Sequence, residues 1–180
     1  MMRIALTGVP GSGKTTLAAS LRGRCAVLHL NDLAREAGLL SAKDEARGAY
    51  LVDMDDLADV VNARLEGVRG TVIIEGHFAH EMDVDRVVLL RCDPAILIER
   101  LRARGYPEEK VRENVEAEAL DVLAQEVLDT GIPAVEIDVS KLSVDAAADA
   151  VWAIAEMPPK ALKGEAVGSA AWSLEALPWS

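Results

Sequence analysis

Short apolar runs recur along the chain and are separated by amphipathic or polar segments. Runs of this length are typical of strands that are buried on both faces of a parallel sheet. We therefore predict five strands, at about 2–7, 25–30, 71–76, 86–90 and 133–137.

Helix signals fill the intervals between these strands. Asp93 before Pro94 is a typical helix start, and Gly131 is a typical stop. Residues 39–53 are polar and show little periodicity. The predicted helices cover about 13–22, Asn31 or Asp32 to Gly38, Asp55 or Asp56 to Leu65, 93–104, 107–130 and Ser143 to Ala155.

The alternation of strands and helices predicts the fold class. Such a chain forms an α/β domain of three layers, with helices on both faces of a five-stranded parallel sheet. We expect right-handed crossovers between the strands.

The character of the sequence changes at Met157. Residues 1–156 carry the alternating pattern and are predicted to form one domain, whereas residues 157–180 form an irregular tail. Trp172 and Trp179 lie within this tail. Either the tail docks its tryptophans on the domain or it is a mobile segment that meets a partner, and we favour docking.

Composition narrows the classes of function. The 180 residues are 51% hydrophobic but only 3% aromatic, so the core must be aliphatic. The net charge of −11 argues against strong direct binding to nucleic acid and suits a basic protein partner, although solubility is the simpler explanation. Cys25 and Cys92 match no metal-ligand spacing, and no apolar run approaches membrane-spanning length. Since the sequence shows no signal peptide, we expect a reducing, cytoplasmic setting.

One stretch carries specific chemistry, Gly8-Val9-Pro10-Gly11-Ser12-Gly13-Lys14-Thr15-Thr16. It matches the pattern G-x-x-x-x-G-K-[ST] and lies between a predicted strand and a predicted helix. The glycines let backbone N–H groups point inward at an anion, and the helix N-terminus adds its dipole. Lys14 is predicted to reach the β- and γ-phosphates of a nucleoside triphosphate, and Thr15 is predicted to offer its hydroxyl to Mg²⁺. This is the P-loop of a P-loop NTPase.

The P-loop predicts triphosphate binding but not the reaction. A GTPase would carry N-K-x-D after a late strand, and residues 136–141 do not match it. A kinase of small phosphorylated acceptors needs an anion clamp for the acceptor and an arginine-bearing lid over the donor. Arg35 is the candidate clamp. Arg100 and Arg104 share one helix face, and Gly105-Tyr106-Pro107 after them would supply a short lid.

With these residues the chain resembles the adenylate kinase isoenzyme 6 type, a small branch of the nucleoside monophosphate kinases found in archaea and eukaryotes. The resemblance covers about residues 3–156. It is carried by Gly8-x-Pro10-Gly11-x-Gly13-Lys14-Thr15-Thr16, Asp32-Leu33-Ala34-Arg35-Glu36, Glu75-Gly76-His77 and Glu99-Arg100-Leu101 with Arg104-Gly105-Tyr106.

The resemblance implies a donor site for Mg·ATP. Arg104 would reach over the ATP from a short lid at about 103–113, and Arg100 would lie near the adenine. Glu75 stands where eukaryotic members carry an aspartate, and it would hold the Mg²⁺ shell through water together with Thr15. The residues implied in phosphate binding are Gly11, Gly13, Lys14, Thr15 and Thr16.

The resemblance also implies an acceptor site and a partner. Arg35 would contact the phosphate of AMP, and Asp32 would belong to the same substrate site within a monophosphate-binding segment at about 31–54. The family is tied to maturation of the small ribosomal subunit, where it acts as an ATPase with a ribosomal protein partner.

The histidines and acidic runs that remain have simpler interpretations. His77 follows the strand that carries Glu75, and it either orients the attacking water or acceptor phosphate as a catalytic residue or is a structural histidine. A metal site at His77 and His80 would lack further ligands.

Two acidic runs are interpreted as solvated faces and helix caps. The second run is also where a basic partner could sit. The first run is Asp53, Asp55, Asp56 and Asp59, and the second is Glu113, Glu116, Glu118 and Asp121.

These observations predict an ATP:AMP phosphotransferase that also hydrolyses ATP. Two alternatives remain open. One is an ATPase assembly factor that acts on a complex with a basic ribosomal protein. The other is a kinase of a small metabolite such as shikimate, against which the Asp-Leu-Ala-Arg-Glu and Arg-Gly-Tyr pieces argue.

Overall fold

A five-stranded, all-parallel sheet lies at the centre of the fold, as predicted. The computed structural model describes residues 1–40, 43–44, 49–50 and 52–158. The strands are β1 (Met2–Gly8), β2 (Ala26–His29), β3 (Lys43–Asp44), β4 (Ala49–Tyr50), β5 (Thr71–Glu75), β6 (Arg86–Arg91) and β7 (Ala134–Asp138). The sheet order is β2-β5-β1-β6-β7, and β3 and β4 form a separate, short antiparallel pair.

Helices cover both faces of this sheet and make the three predicted layers. A 3₁₀ turn lies at Ala79–Glu81. None of the helices in the described ranges combines the length and the apolar character that crossing a membrane requires. The helices are α1 (Lys14–Leu21), α2 (Leu30–Glu36), α3 (Met54–Leu65), α4 (Pro94–Ala103), α5 (Glu108–Ala119), α6 (Val122–Asp129) and α7 (Val144–Glu156).

Side chains that alternate between the two faces of the sheet divide the core into two clusters. Ile4 and Leu6 of β1 point to one face, where they pack with α1, α4, α5 and α7. Ala5 points to the other face, towards α2 and α3. Successive side chains of a strand alternate between faces, so one apolar run supplies both layers.

The strand register brings the loops that follow β1, β5 and β6 together at the carboxyl-terminal end of the sheet. Leu6 of β1 pairs with Glu75 of β5, and Gly8 pairs with Leu90 of β6. His29 of β2 pairs with Glu75 from the other side. Because the strands are parallel, their carboxyl ends collect here, which is where α/β folds bind ligands.

The prediction of one helix over 107–130 is wrong. The structure has two helices, α5 and α6, and they are separated by Leu120 and Asp121. Asp121 has φ 57° and is the one residue other than glycine with a positive φ in the part of the chain that the structure describes. Its carboxylate binds the buried Arg91, an interaction that turns the chain out of the helix.

Two predicted helix starts also shift. α2 begins at Leu30, directly after β2, so Asp32 lies inside its first turn and does not cap it. The α3 cap is Asp53, which accepts hydrogen bonds from the N–H groups of Asp55 and Asp56 at 3.0 and 3.3 Å. The tail from residue 159 and residues 41–42, 45–48 and 51 lie outside the described residues, so the predictions for the tail and part of the monophosphate-binding segment stay predictions.

Candidate active site

The P-loop spans the end of β1 and the start of α1. Gly13 is the N-cap of α1 in the left-handed region, with φ 100°, and no side chain caps this helix. The N–H groups of the first turn are therefore left for a ligand, and the helix dipole favours an anion there. The loop closes on itself through a hydrogen bond from Ser12 N–H to the Val9 carbonyl at 3.1 Å.

Gly11 seats the loop against α4. Its φ is 90°, and a Cβ there would lie 2.7 Å from Cδ1 of Leu97 and 3.0 Å from Cδ2 of Leu101. A side chain at this position would push the loop off the helix. Gly13 has open space around it and needs glycine for its backbone conformation alone.

Lys14 folds back over the P-loop. Its Nζ donates to the carbonyl oxygens of Gly8 at 2.6 Å and Val9 at 3.1 Å. Burial lowers the pKa of Lys14 to about 8, with a further decrease from Arg104, while Glu75 opposes the shift. The ammonium is thus held by backbone oxygens at the point where an incoming phosphate would replace them.

Thr15 and Glu75 bring two oxygen ligands together. Thr15 Oγ1 donates to Oε1 of Glu75 at 3.3 Å, and Glu75 is buried at the end of β5. Hydroxyl and carboxylate oxygens are the ligands that Mg²⁺ prefers, and it commonly completes its shell with waters and substrate phosphates. The described residues contain no group of three His, Cys, Asp or Glu side chains that could hold a metal ion by themselves.

Sequence reasoning missed two residues behind Glu75. His29 Nδ1 lies 2.7 Å from the other carboxylate oxygen, Oε2, and Arg22 Nη2 lies 2.9 Å from His29 Nε2. The observed strands end at His29 and Glu75, and both residues stand one position before the ends of the predicted strands 25–30 and 71–76. That shared position was the available signal.

His77 lies beside the P-loop, as its place after β5 suggested. Its Nδ1 is 3.3 Å from the Gly8 carbonyl, which Lys14 also contacts. Burial lowers the pKa of His77 below its ordinary value, the contact with the Gly8 carbonyl opposes this effect, and the Lys14 charge adds to it, so the neutral imidazole is favoured. His80 instead is buried, with Nε2 3.8 Å from Glu126.

A cavity of about 280 Å³ opens beside the P-loop. The two arginines that the i, i+4 spacing grouped together, Arg100 and Arg104, both line it. Arg100 donates to Cys92 Sγ at 3.4 Å, whereas the side chain of Arg104 has no hydrogen bond or ion pair to any residue in the described ranges. The other lining residues are Gly11, Ser12, Gly13, Thr16, Leu17, Leu90, Val139, Leu142, Ser143, Val144 and Ala147.

Arg35 lies apart from this cavity, on α2. Its Nη1 is 3.0 Å from Oδ1 of Asp32, and their side chains are 68% and 57% exposed. An exposed pair of this kind contributes little to stability, so Arg35 is free to exchange Asp32 for another anion.

The interpretation of Glu118 and Asp121 as a solvated face is wrong. Glu118 is 2% exposed and accepts from Nε of the buried Arg91 at 2.8 Å. Arg91 also binds Asp121 and Glu136, the latter at 2.6 Å. Burial opposes the charge of Arg91, but the three carboxylates outweigh it and raise its pKa. Glu118 is buried at the end of β6 and is not open to a partner, and Asp121 is held by Arg91.

The chain is similar to known proteins along most of its length. An AAA domain family matches residues 4–121. A protein of Natronomonas pharaonis is 46% identical over 155 residues, covering 85% of this chain and 89% of the relative. One of Archaeoglobus fulgidus is 39% identical over 175 residues, covering 97% and 93%. Both relatives are named "Putative adenylate kinase".

Solved structures share the fold at low identity. Shikimate kinase from Bacteroides thetaiotaomicron superposes with a TM-score of 0.57 at 18% identity, covering 87% of this chain and 99% of the neighbour. TT1252 from Thermus thermophilus gives 0.58 at 20% identity, covering 85% and 97%. At these identities the likeness concerns the P-loop kinase fold alone.

Proposed function

The chain belongs to the AAA domain family and, with its archaeal relatives, to the adenylate kinase isoenzyme 6 type; on that premise we propose that it transfers the γ-phosphoryl group of ATP to AMP. A nucleotide kinase is what the relatives and the fold support at the coarser level. The observation that carries this proposal is the cavity beside the P-loop, which Arg100 and Arg104 both line.

ATP would bind with its triphosphate on the P-loop and its nucleoside in this cavity. The N–H groups of the first turn of α1, which no side chain caps, would donate hydrogen bonds to the phosphates. Lys14 would exchange its two backbone carbonyls for phosphate oxygens, and the Arg104 guanidinium, which has no hydrogen bond or ion pair within the described ranges, would turn onto the triphosphate. These cations stabilise charge that spreads over the transferring group.

Mg²⁺ fits the oxygen ligands at the P-loop. Thr15 and Glu75 would hold it, the carboxylate through water, with their oxygens 3.3 Å apart. Bound there, the metal would neutralise charge on the triphosphate.

AMP would bind on the α2 side, where Arg35 leaves Asp32 for the AMP phosphate. An oxygen of that phosphate attacks the γ-phosphorus, the bond from the γ-phosphorus to the bridging oxygen breaks, and ADP forms on both sides. No covalent enzyme intermediate is needed. His77, which lies beside Gly8, would orient the attacking oxygen, either of AMP or of water when ATP is hydrolysed.

An acceptor screen tests this proposal. The protein is incubated with Mg·ATP and AMP, CMP, dAMP, shikimate or water, and ADP formation is measured. We expect AMP to be the fastest acceptor, and Lys14→Ala to lose most of the transfer. Faster reaction with shikimate, or ADP formation that no acceptor accelerates, would reject the proposal.

The two arginine sites give the second readout of the same experiment. Arg35→Ala should raise the KM for AMP about tenfold or more, because a charge-assisted hydrogen bond is worth about 1.5–3 kcal/mol, and should leave the KM for ATP close to wild type. Arg104→Ala should instead raise the KM for ATP. Arg102→Ala is the matched control, since Arg102 pairs with Glu108 at 2.7 Å and does not line the cavity.

The assembly-factor alternative has weaker support. Much of the acidic surface of α5 is matched by neighbouring cations, through Lys110–Glu113 and Arg112–Glu116, both at 2.6–2.7 Å. A pull-down with a basic small-subunit ribosomal protein, with and without ATP, tests this alternative directly.

A further inference from the structure

Three hydrogen bonds join four side chains in a chain that runs from the end of α1 to the P-loop. Arg22 contacts His29, His29 contacts Glu75, and Glu75 contacts Thr15, at 2.9, 2.7 and 3.3 Å. The side chains of His29 and Glu75 are only 12% and 9% exposed. The chain therefore joins a surface arginine to the proposed metal ligands through a shielded pair.

The sheet register places the central pair side by side. His29 closes β2, Glu75 closes β5, and the two residues are direct partners in the parallel ladder. Paired residues on adjacent strands project from the same face, so the imidazole and the carboxylate meet. Arg22, the C-cap residue of α1, reaches His29 from beyond the helix end.

The two contacts of His29 leave one arrangement of its proton. A guanidinium can only donate hydrogen bonds, so His29 Nε2 accepts from Arg22. The neutral ring then carries its proton on Nδ1, which donates to Oε2 of Glu75. Arg22 thus selects the tautomer that Glu75 requires.

Glu75 needs such support because its side chain has one more rotatable bond than an aspartate. The hydrogen bond from His29 fixes Oε2, and this leaves Oε1 directed at the Thr15 hydroxyl. A ligand whose partner fixes its orientation binds metal more tightly than one that must be ordered on binding.

We propose that His29, held in one tautomer by Arg22, is a positioning residue that aims Glu75 Oε1 into the metal shell of bound Mg·ATP. This inference rests on the proposed function, since it needs a metal–nucleotide complex on the P-loop. His29 touches neither substrate nor metal and acts through Glu75.

The measured quantity is the ratio of two dissociation constants for a non-hydrolysable ATP analogue, one in EDTA and one in Mg²⁺. This ratio reports metal binding without turnover. In the full chain we expect His29→Ala to lower the ratio about 10- to 100-fold and to leave the constant in EDTA unchanged. Circular dichroism and a thermal melt check that the variant is folded.

Two conservative variants separate positioning from packing. In His29→Asn the amide nitrogen stands one bond from Cγ, as Nδ1 does, so Asn can still donate to Glu75 and should restore most of the ratio. In His29→Gln the amide stands one bond further out, at the level of Nε2, and should not. Equal ratios for Asn and Gln would overturn the proposal.

The outer residue has a matched control. Arg22→Ala should lower the ratio several-fold, because Nε2 loses the partner that fixes the tautomer. Arg24→Ala removes an arginine from the same helix end, but this one pairs with Asp149, and should have no effect. If His29→Ala keeps the wild-type ratio, the positioning role of His29 is overturned but the proposed function is not. A wild-type protein that binds the analogue equally with and without Mg²⁺ overturns the metal site of the proposed function as well.

Discussion

Lys14 carries its charge in a shielded position at the P-loop. Two carbonyl oxygens hold the ammonium, and burial lowers its pKa to about 8. A bound triphosphate would raise that pKa again, because an adjacent negative charge favours the protonated form. ATP binding and protonation of Lys14 are therefore linked.

The sign of this linkage gives a pH dependence. Below pH 8 Lys14 is charged with or without ATP, so affinity is flat. Above pH 8 the free protein loses the proton and binding must recover it, so the dissociation constant for ATP rises, by up to about tenfold per pH unit. Titration calorimetry between pH 7 and 9.5 measures this constant.

The Lys14→Arg variant tests whether the pH dependence of ATP binding comes from Lys14 and not from another group in the site. Arginine stays protonated throughout that range, so the variant should bind ATP with a pH-independent constant, whatever its absolute affinity. A flat profile for the wild type, or the same slope in both proteins, would show that Lys14 does not titrate as described.

At the scale of the elements, Arg91 joins the break between α5 and α6 to the sheet. From β6 it binds Glu118 on α5, Asp121 in the break and Glu136 on β7. Asp121, with its left-handed backbone, lies at this contact. One buried guanidinium thus ties two strands to the connection between two helices, and Glu118 also accepts from the backbone N–H of Cys92.

Arg91→Met should destabilise the protein strongly, because it leaves buried carboxylates without their cation. Loss of one partner of a buried ion pair typically costs about 3–5 kcal/mol. Urea denaturation followed by circular dichroism gives the free energy of unfolding. Arg102→Met breaks the exposed pair with Glu108 and should have little effect. Similar losses in the two variants would contradict a structural role for the Arg91 cluster.

The sequence predicted the features whose signals are local. The P-loop is readable because Gly13, Lys14 and Thr15 are adjacent and follow an apolar run, and the five strands are readable because each is a continuous run. The missed features join distant residues. His29 and Glu75 are 46 positions apart, and Arg91 and Glu118 are 27 apart. Helical spacing continues through Asp121, so only the contact with Arg91 reveals the break.

In the whole molecule the order of the strands separates the two sides of the proposed reaction. β1, which leads into the P-loop, is the middle strand of the order β2-β5-β1-β6-β7. The cavity with Arg100 and Arg104 is lined by segments that follow β6 and β7. Arg35 lies on α2, which follows β2 at the opposite edge. Donor and acceptor would therefore approach the P-loop from opposite sides, as direct transfer requires.

This arrangement predicts how a bisubstrate compound binds. Two adenosines joined through five phosphates would engage both sides at once. Linking two binding groups can exceed the affinity of either alone by about 10²–10⁴-fold, so the compound should bind much more tightly than ATP. Arg35→Ala and Arg104→Ala should each weaken it, whereas only Arg104→Ala should weaken ATP. If Arg35→Ala binds the compound as wild type does, the second adenosine lies elsewhere and α2 is not the acceptor side.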